Sequence, residues 1–230
     1  RTSSSAASDV YKRQIWECRI LKKAANYYGI VSQMANQGHT TNGIRQVKEW
    51  YESGILGEVR EVHAWFGEFN FKPGHWWDKP SEFPPKKQTI PKTLDWDLWL
   101  GPAKNRNYNK VYVPKSWRGF FDFGNGQLGD WSCHTLDAPF WALGLGMPNS
   151  VFGHVPNPRT KENFVADKST VEFNFPANNK RKSVKLKWYE GGFKPKFDDS
   201  FPLKKIPNLG MIMIGSKNSL ITGGRPNNPK

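Results

Sequence analysis

Asp130, His134 and Asp137 fall in one short stretch, GNGQLGDWSCHTLD, at spacings of four and three. On a helix, residues so spaced share a face. Two carboxylates flanking an imidazole are the parts of a general acid/base site: the imidazole titrates near neutral pH, and a carboxylate can orient a hydroxyl. Just before them, Gly124, Gly126 and Gly129 match the G-x-G-x-x-G spacing of a dinucleotide-binding loop. The two readings place a cofactor differently.

The loop reading needs a strand before the glycines, a helix after them, and an acidic residue about 20 positions on. The preceding WRGFFDF carries Asp122 and is too broken for a buried parallel strand, and the later SVFGHVPNPRT has no carboxylate. Only the helix remains. The glycines then serve a sharp turn that brings a helix start close to a ligand. Asp130 is expected in the first turn, where the helix dipole favours a carboxylate. His134 projects one turn later, Asp137 lies near the same face, and Pro139 kinks the helix just beyond. Trp131, Ala138, Trp141 and Leu145 form the opposite, core-facing side. Two outcomes stay open on the residues alone: an acid/base pair in a cleft, or a capping aspartate with a satisfied core histidine.

The elements around this stretch read as one α/β remnant and one α+β domain. IWECRILKKAANYYG is an amphipathic helix with Ile15, Ile20, Leu21, Ala24 and Ala25 as its stripe and Gly29 as its stop. IVSQMA reads as a short buried strand and NQGHTTNG as the loop at its end. GIRQVKEWYESGILG is a second helix with Ile44, Val47, Trp50 and Tyr51 on one side. Helix, strand, helix is the closing unit of a doubly wound domain, in which the loop after a strand faces the ligand crevice. That loop holds Asn36, Gln37 and His39.

After Gly57 the pattern changes. EVREVHAWFGEF sets Val62, Ala64 and Phe66 against His63, Trp65 and Gly67. Residues 70–118 hold seven prolines and five tryptophans, with one short helix at LDWDLWLG. TVEFNF and SVKLKW alternate, and GMIMIG is apolar on both faces. With DWSCHTLDAPFWALGLG as helical cover, this is a mostly antiparallel open sheet.

Composition bounds the function. The 230 residues are 37% hydrophobic, enough for a sizeable core. No apolar run approaches a membrane span. Cys18 and Cys133 are far apart without C-x-x-C spacing, so neither a disulfide framework nor a zinc site is expected. The net charge is +14, with twelve Lys and Arg against three acidic residues over 180–230. That surplus falls on strands and loops beside no nucleic-acid motif, and reads as solvated surface. RTSSSAASDVYKRQ at the start has neither apolar period nor hydrophobic signal core and is set aside from the fold. GGRPNNPK at the end reads as a polar tail with no closing element.

QMANQGHTT, GIRQVKEWYESGILGEVREVHAW and LDWDLWLGPAKNRNYNKVYVPKSWRGFFDFGNGQLGDWSCHTLDAPFWALGLGMP resemble, in that order and spacing, the Gfo/Idh/MocA oxidoreductases of the Bacteroidetes-type branch. The resemblance runs from about Ile15 to Gly224. It implies residues 15–57 as the end of a Rossmann domain and 58–230 as a substrate-binding and oligomerising α+β domain. It implies NAD or NADP as cofactor, a carbohydrate or cyclitol as substrate, and self-association through the open sheet face. The D-x-x-x-H motif of the family falls on Asp130 and His134, which implies His134 as the acid/base and Asp130 as its substrate-orienting partner. His39 is expected as a substrate contact at the nicotinamide end of the cleft, with Asn36 and Gln37 on the cofactor side. Position and chemistry add Trp117, Arg118, Tyr108, Tyr112 and Asp137 as candidate substrate contacts. The family's E-K-P motif with its lysine and the Gly-rich loop are not found here, so weak NAD(P) binding and little activity are expected of these 230 residues. Some relatives recycle NAD to cleave glycosides, and a non-catalytic oligomerising domain is a third possibility.

Overall fold

The computed structural model describes residues 15–33, 35–67, 78–158, 162–197 and 206–230. The leading 1–14, set aside above, lie outside them. The first helix, α1 (Ile15–Tyr28), forms as its period dictates, yet no residue of it is buried. Ile15, Ile20 and Leu21 of its stripe face solvent. IVSQMA forms no strand over its described residues, and Ile30 and Val31 are exposed. A strand persists only where a neighbour takes its hydrogen bonds, and among the described residues nothing pairs with this segment. The second helix, α2 (Asn42–Glu52), buries Ile44 and Val47 completely.

Six strands make one sheet: β1 (Val59–Phe66), β2 (Ser150–His154), β3 (Ser169–Phe175), β4 (Val184–Glu190), β5 (Leu209–Gly215) and β6 (Ser219–Gly223), in the order β2-β3-β4-β1-β5-β6. β1 and β4 run parallel; the other four pairings are antiparallel. The sheet is thus mostly antiparallel, as expected, with one parallel pair at its centre.

Alternation sorts the two faces. Val62, Ala64 and Phe66, with Val184, Leu186, Trp188, Met211 and Met213, face the helices and join Ile44, Val47, Ala138, Ala142 and Leu143 in the main core. The register then aligns Glu172, Lys187, His63 and Ile212 across the other face. Trp65 departs from the polar-out pattern. It is fully buried, and its Nε1 donates to the Pro207 carbonyl at 2.8 Å, because the segment at Pro207 covers that end of the face.

Between β1 and β2 the chain builds a second, aromatic core from short pieces: α3 (Trp96–Leu100), capped by the Asp95 side chain at 3.0 Å from the Leu98 amide, and a 3-10 turn at Ser116–Gly119. Trp96, Tyr108, Tyr112, Phe120, Phe123 and Phe164 fill it. Neither cysteine forms a disulfide. Among the described residues no helix is long and apolar enough to cross a membrane.

Candidate acid/base site

The stretch read as one helix is three: α4 (Gly126–Asp130), α5 (Ser132–Thr135) and α6 (Asp137–Leu143). The interruptions have local causes. Ser132 Oγ donates to the Leu128 carbonyl and Thr135 Oγ1 to that of Trp131, four residues back in each case, a pattern that loosens a helix. The Pro139 ring would clash with the carbonyl of Thr135, and α5 ends there. Pro139 itself sits third in α6, where its missing N–H costs nothing. Trp131 and Leu136 between the segments keep right-handed backbones, so the path stays helical while its bonding breaks.

The glycines act as a turn and not as a phosphate loop. Gly126 opens α4 at φ +61, and a Cβ on Gly124 would lie 2.7 Å from the Arg118 carbonyl. What precedes them is the 3-10 turn and an isolated bridge from Phe120 to Phe164, not a strand.

Asp130 closes α4 where it was expected to open it. The dipole at a helix C-terminus disfavours a carboxylate, and the stabilising partner is a cation. Arg118 Nε donates to Asp130 Oδ1 at 2.8 Å, and both side chains are less than a third exposed. The guanidinium also lies 4.5 Å from the Trp117 ring centre and donates to the Lys115 carbonyl. Arg118 and Trp117, expected as substrate contacts, thus form a stacked support for Asp130.

His134 meets the Trp131 ring edge-on at 5.8 Å. Burial, and then the charge of Arg225, hold its pKa below the usual histidine value; a backbone hydrogen bond to Gln37 and the charges of Asp130 and Asp137 oppose them. Nδ1 is buried with no hydrogen-bond partner among the described residues. A substrate group could meet this nitrogen, as donor or acceptor according to the tautomer of the ring.

The 36–41 loop lies along α5 and α6. Asn36 Nδ2 donates to the Cys133 carbonyl at 3.0 Å, Gln37 meets His134, and His39 Nδ1 lies 2.9 Å from Asp137 Oδ2. Trp141 is not a core residue: it is partly exposed, with the His39 ring 5.3 Å away and Lys48 Nζ over its face. The α6 surface it occupies is the one the loop covers. The GGRPNNPK tail also departs from expectation. Ile221 and Lys230 exchange backbone hydrogen bonds, Thr41 Oγ1 donates to the Pro226 carbonyl, and Arg225 stacks on Trp131 at 4.8 Å. Arg225 has no signal in the sequence, because nothing local announces that the tail folds back.

Tyr108 and Tyr112 are not brought to this site. Both are buried in the aromatic core, and the Arg106 guanidinium, which pairs with Asp122, lies 5.8 Å from the Tyr112 ring centre. Among the described residues no cluster of three or more His, Cys, Asp or Glu could hold a metal ion. A surface cleft of about 270 Å³ lined by Arg60, Glu61, Asn174 and Lys185 shares no residue with the site.

Residues 40–179 match the family described as "Oxidoreductase family, C-terminal alpha/beta domain". No protein of curated function matches the sequence. Among solved structures, the WlbA dehydrogenase of Bordetella pertussis in complex with NADH and UDP-GlcNAcA aligns at TM-score 0.57 and 14% identity, over 95% of this chain and 52% of that one. An NAD binding oxidoreductase from Klebsiella pneumoniae aligns at 0.55 and 16%, over 94% and 49%. An inositol dehydrogenase homolog from Azotobacter vinelandii, complexed with NADH and myo-inositol, aligns at 0.51 and 16%, over 93% and 43%. The chain thus spans about half the length of the structures it matches.

Proposed function

This chain belongs to the Gfo/Idh/MocA oxidoreductase family, and we propose from that premise that it supplies the substrate side of an enzyme moving hydride between a nicotinamide cofactor and a sugar or cyclitol hydroxyl. The observation that carries the reading is the orphaned Nδ1 of His134. A buried polar atom without a partner is unfavourable, and a substrate hydroxyl would satisfy it. The donor set fits such a reaction in its chemistry: an imidazole whose burial holds its pKa down, beside one oriented carboxylate.

When bound, NAD or NADP would supply the hydride acceptor. His134 takes the hydroxyl proton on Nδ1, with the Gln37 backbone beside the ring. Asp130, held by Arg118 through one oxygen, keeps Oδ2 to accept from a neighbouring hydroxyl. Asn36 and Gln37 sit on the loop that would border the cofactor, and their bonds to Cys133 and His134 join that loop to the acid/base helices. The open sheet face, with Phe152 exposed on its edge strand, is read as the surface for a second copy; sedimentation of the protein against a Phe152→Glu variant tests it.

The deciding experiment uses the longer protein that contains this chain. It is incubated with NAD and a panel of sugars, cyclitols and aryl glycosides, while NADH absorbance and aglycone release are followed together. NADH formed with substrate and reduced by about 10²–10⁴-fold in His134→Ala supports the dehydrogenase. Aglycone release without net NADH replaces it with an NAD-recycling glycosidase. Silence in both channels, with the variant indistinguishable, returns the domain to a non-catalytic role.

A further inference from the structure

Trp131 joins two groups that the site uses unequally. Its edge meets His134, and its face carries the Arg225 guanidinium at 4.8 Å. The two carboxylates whose charges reach His134 are both engaged, Asp130 by Arg118 and Asp137 by His39. Arg225 is not engaged. Its Nε is buried without a hydrogen-bond partner, and no acidic side chain pairs with it among the described residues. It is nonetheless held in place. Its neighbour Pro226 accepts from Thr41, and its own side chain packs where a Cβ on Gly38 would meet it at 3.5 Å.

A guanidinium offers parallel N–H groups in a planar fork that matches the two oxygens of a carboxylate or phosphate. With the nearby carboxylates occupied, this fork is the unanswered charge beside the acid/base. The geometry points to an acidic sugar as the substrate: one that carries a carboxylate or phosphate, received by Arg225 while a hydroxyl faces His134. This rests on the dehydrogenase reading for the role of His134. The cofactor also carries oxyanions, so the test must separate the two sources.

The test measures binding without turnover, by calorimetry on the longer protein that contains this chain, with glucuronate, glucose, inorganic phosphate and NADH. Glucuronate is expected to bind at least tenfold more tightly than glucose. Arg225→Gln keeps a planar group on Trp131 without charge and should abolish that preference while leaving glucose unchanged. Arg225→Lys keeps the charge without the fork and should restore only part, so the residue is tested even where one variant folds poorly. Equal binding of the two sugars, including none of either, overturns the inference. So does a preference that survives Arg225→Gln. If NADH binding depends on Arg225 and glucuronate binding does not, the oxyanion belongs to the cofactor and the substrate assignment fails. His134→Ala should leave the preference intact, so failure of the hydride-transfer reading appears in turnover and failure of this one in the binding ratio.

Discussion

His39 Nδ1 lies 2.9 Å from Asp137 Oδ2, 98 residues further along the chain. An ionised carboxylate only accepts, so the ring proton is on Nδ1 and the neutral ring presents Nε2 as an acceptor. The same loop brings the Gln37 backbone to His134, whose Nδ1 is buried without a partner among the described residues. Two histidines on one surface are thus met from opposite segments: His39 by Asp137 of α6, His134 by the loop.

Asp137→Ala should release the His39 tautomer. Imidazole nitrogen shifts in the NMR spectrum of the 230-residue chain would move from a single Nδ1–H form to a mixture. The His39 side chain is about half exposed, so stability should fall by only about 1 kcal/mol, roughly 2–4 °C in Tm. An unchanged tautomer would mean that the pair does not form in solution.

Arg118→Met should weaken substrate use more than it weakens the fold. It removes one charged hydrogen bond to Asp130, worth about 1.5–3 kcal/mol, or about 10–100-fold in kcat/KM. Arg118→Lys should recover little, because the stack on Trp117 and the Nε donor both need a guanidinium. Full recovery by lysine would reduce the role of Arg118 to charge alone.

The pH dependence of stability has a definite sign. Burial is the leading cause that lowers both His63 and His134 below 6.5. A histidine depressed in the folded state binds fewer protons there than in the unfolded chain, so its contribution is complete above about pH 6.5 and is lost as pH falls through the folded value. At His63 the neighbours that set the value are Glu61, Lys187 and Lys185, with the Tyr189 hydroxyl at 2.9 Å and the Phe197 ring edge-on. Tyr189 is itself pushed up to about 12, chiefly by burial, and stays protonated throughout. Thermal melts should show lower Tm at pH 5 than at pH 7.5, and His63→Gln with His134→Gln should flatten that slope. A slope of opposite sign would contradict the assignment.

Gly43→Ala should detach the tail. A Cβ there would stand 2.2 Å from the Pro226 carbonyl oxygen and 2.9 Å from Asn227 Cα. Backbone cannot yield as a side-chain tip can, so residues 225–227 would shift and Arg225 would leave Trp131. The indole signal of Trp131 should move, with a loss of about 1–3 kcal/mol from overpacking. An unmoved indole would show that the contact with Trp131 does not depend on this packing.

The elements with strong period are legible without coordinates. Ile44 and Val47 recur at helical spacing, and α2 buries them; Val184, Leu186 and Trp188 alternate, and β4 buries them. The D-x-x-x-H spacing singled out Asp130 and His134, and the structure brings their charges together. Local pattern carries this much because periodic apolar residues have one face to bury and little choice of how. Trp65 and Trp141 escaped that logic in opposite directions. Each fitted its strand or helix period, and each was decided by distant segments: Pro207 covers Trp65, while Trp141 stays partly exposed beside His39 and Lys48.

The helix α2 and the strands β1, β3, β4 and β5 were legible in the sequence alone, since each follows from neighbours within a few residues; the edge strands β2 and β6, the parallel pairing of β1 with β4 and the division of one helix into three were not. Partnership was decided by the tertiary structure. Arg118 on Asp130, Asp137 on His39, Gln37 on His134 and Arg225 on Trp131 join segments 12, 98, 97 and 94 positions apart. A side chain's partner over such distances is set by how the whole chain closes, and the charge left unanswered at Arg225 exists only after every other pair has formed.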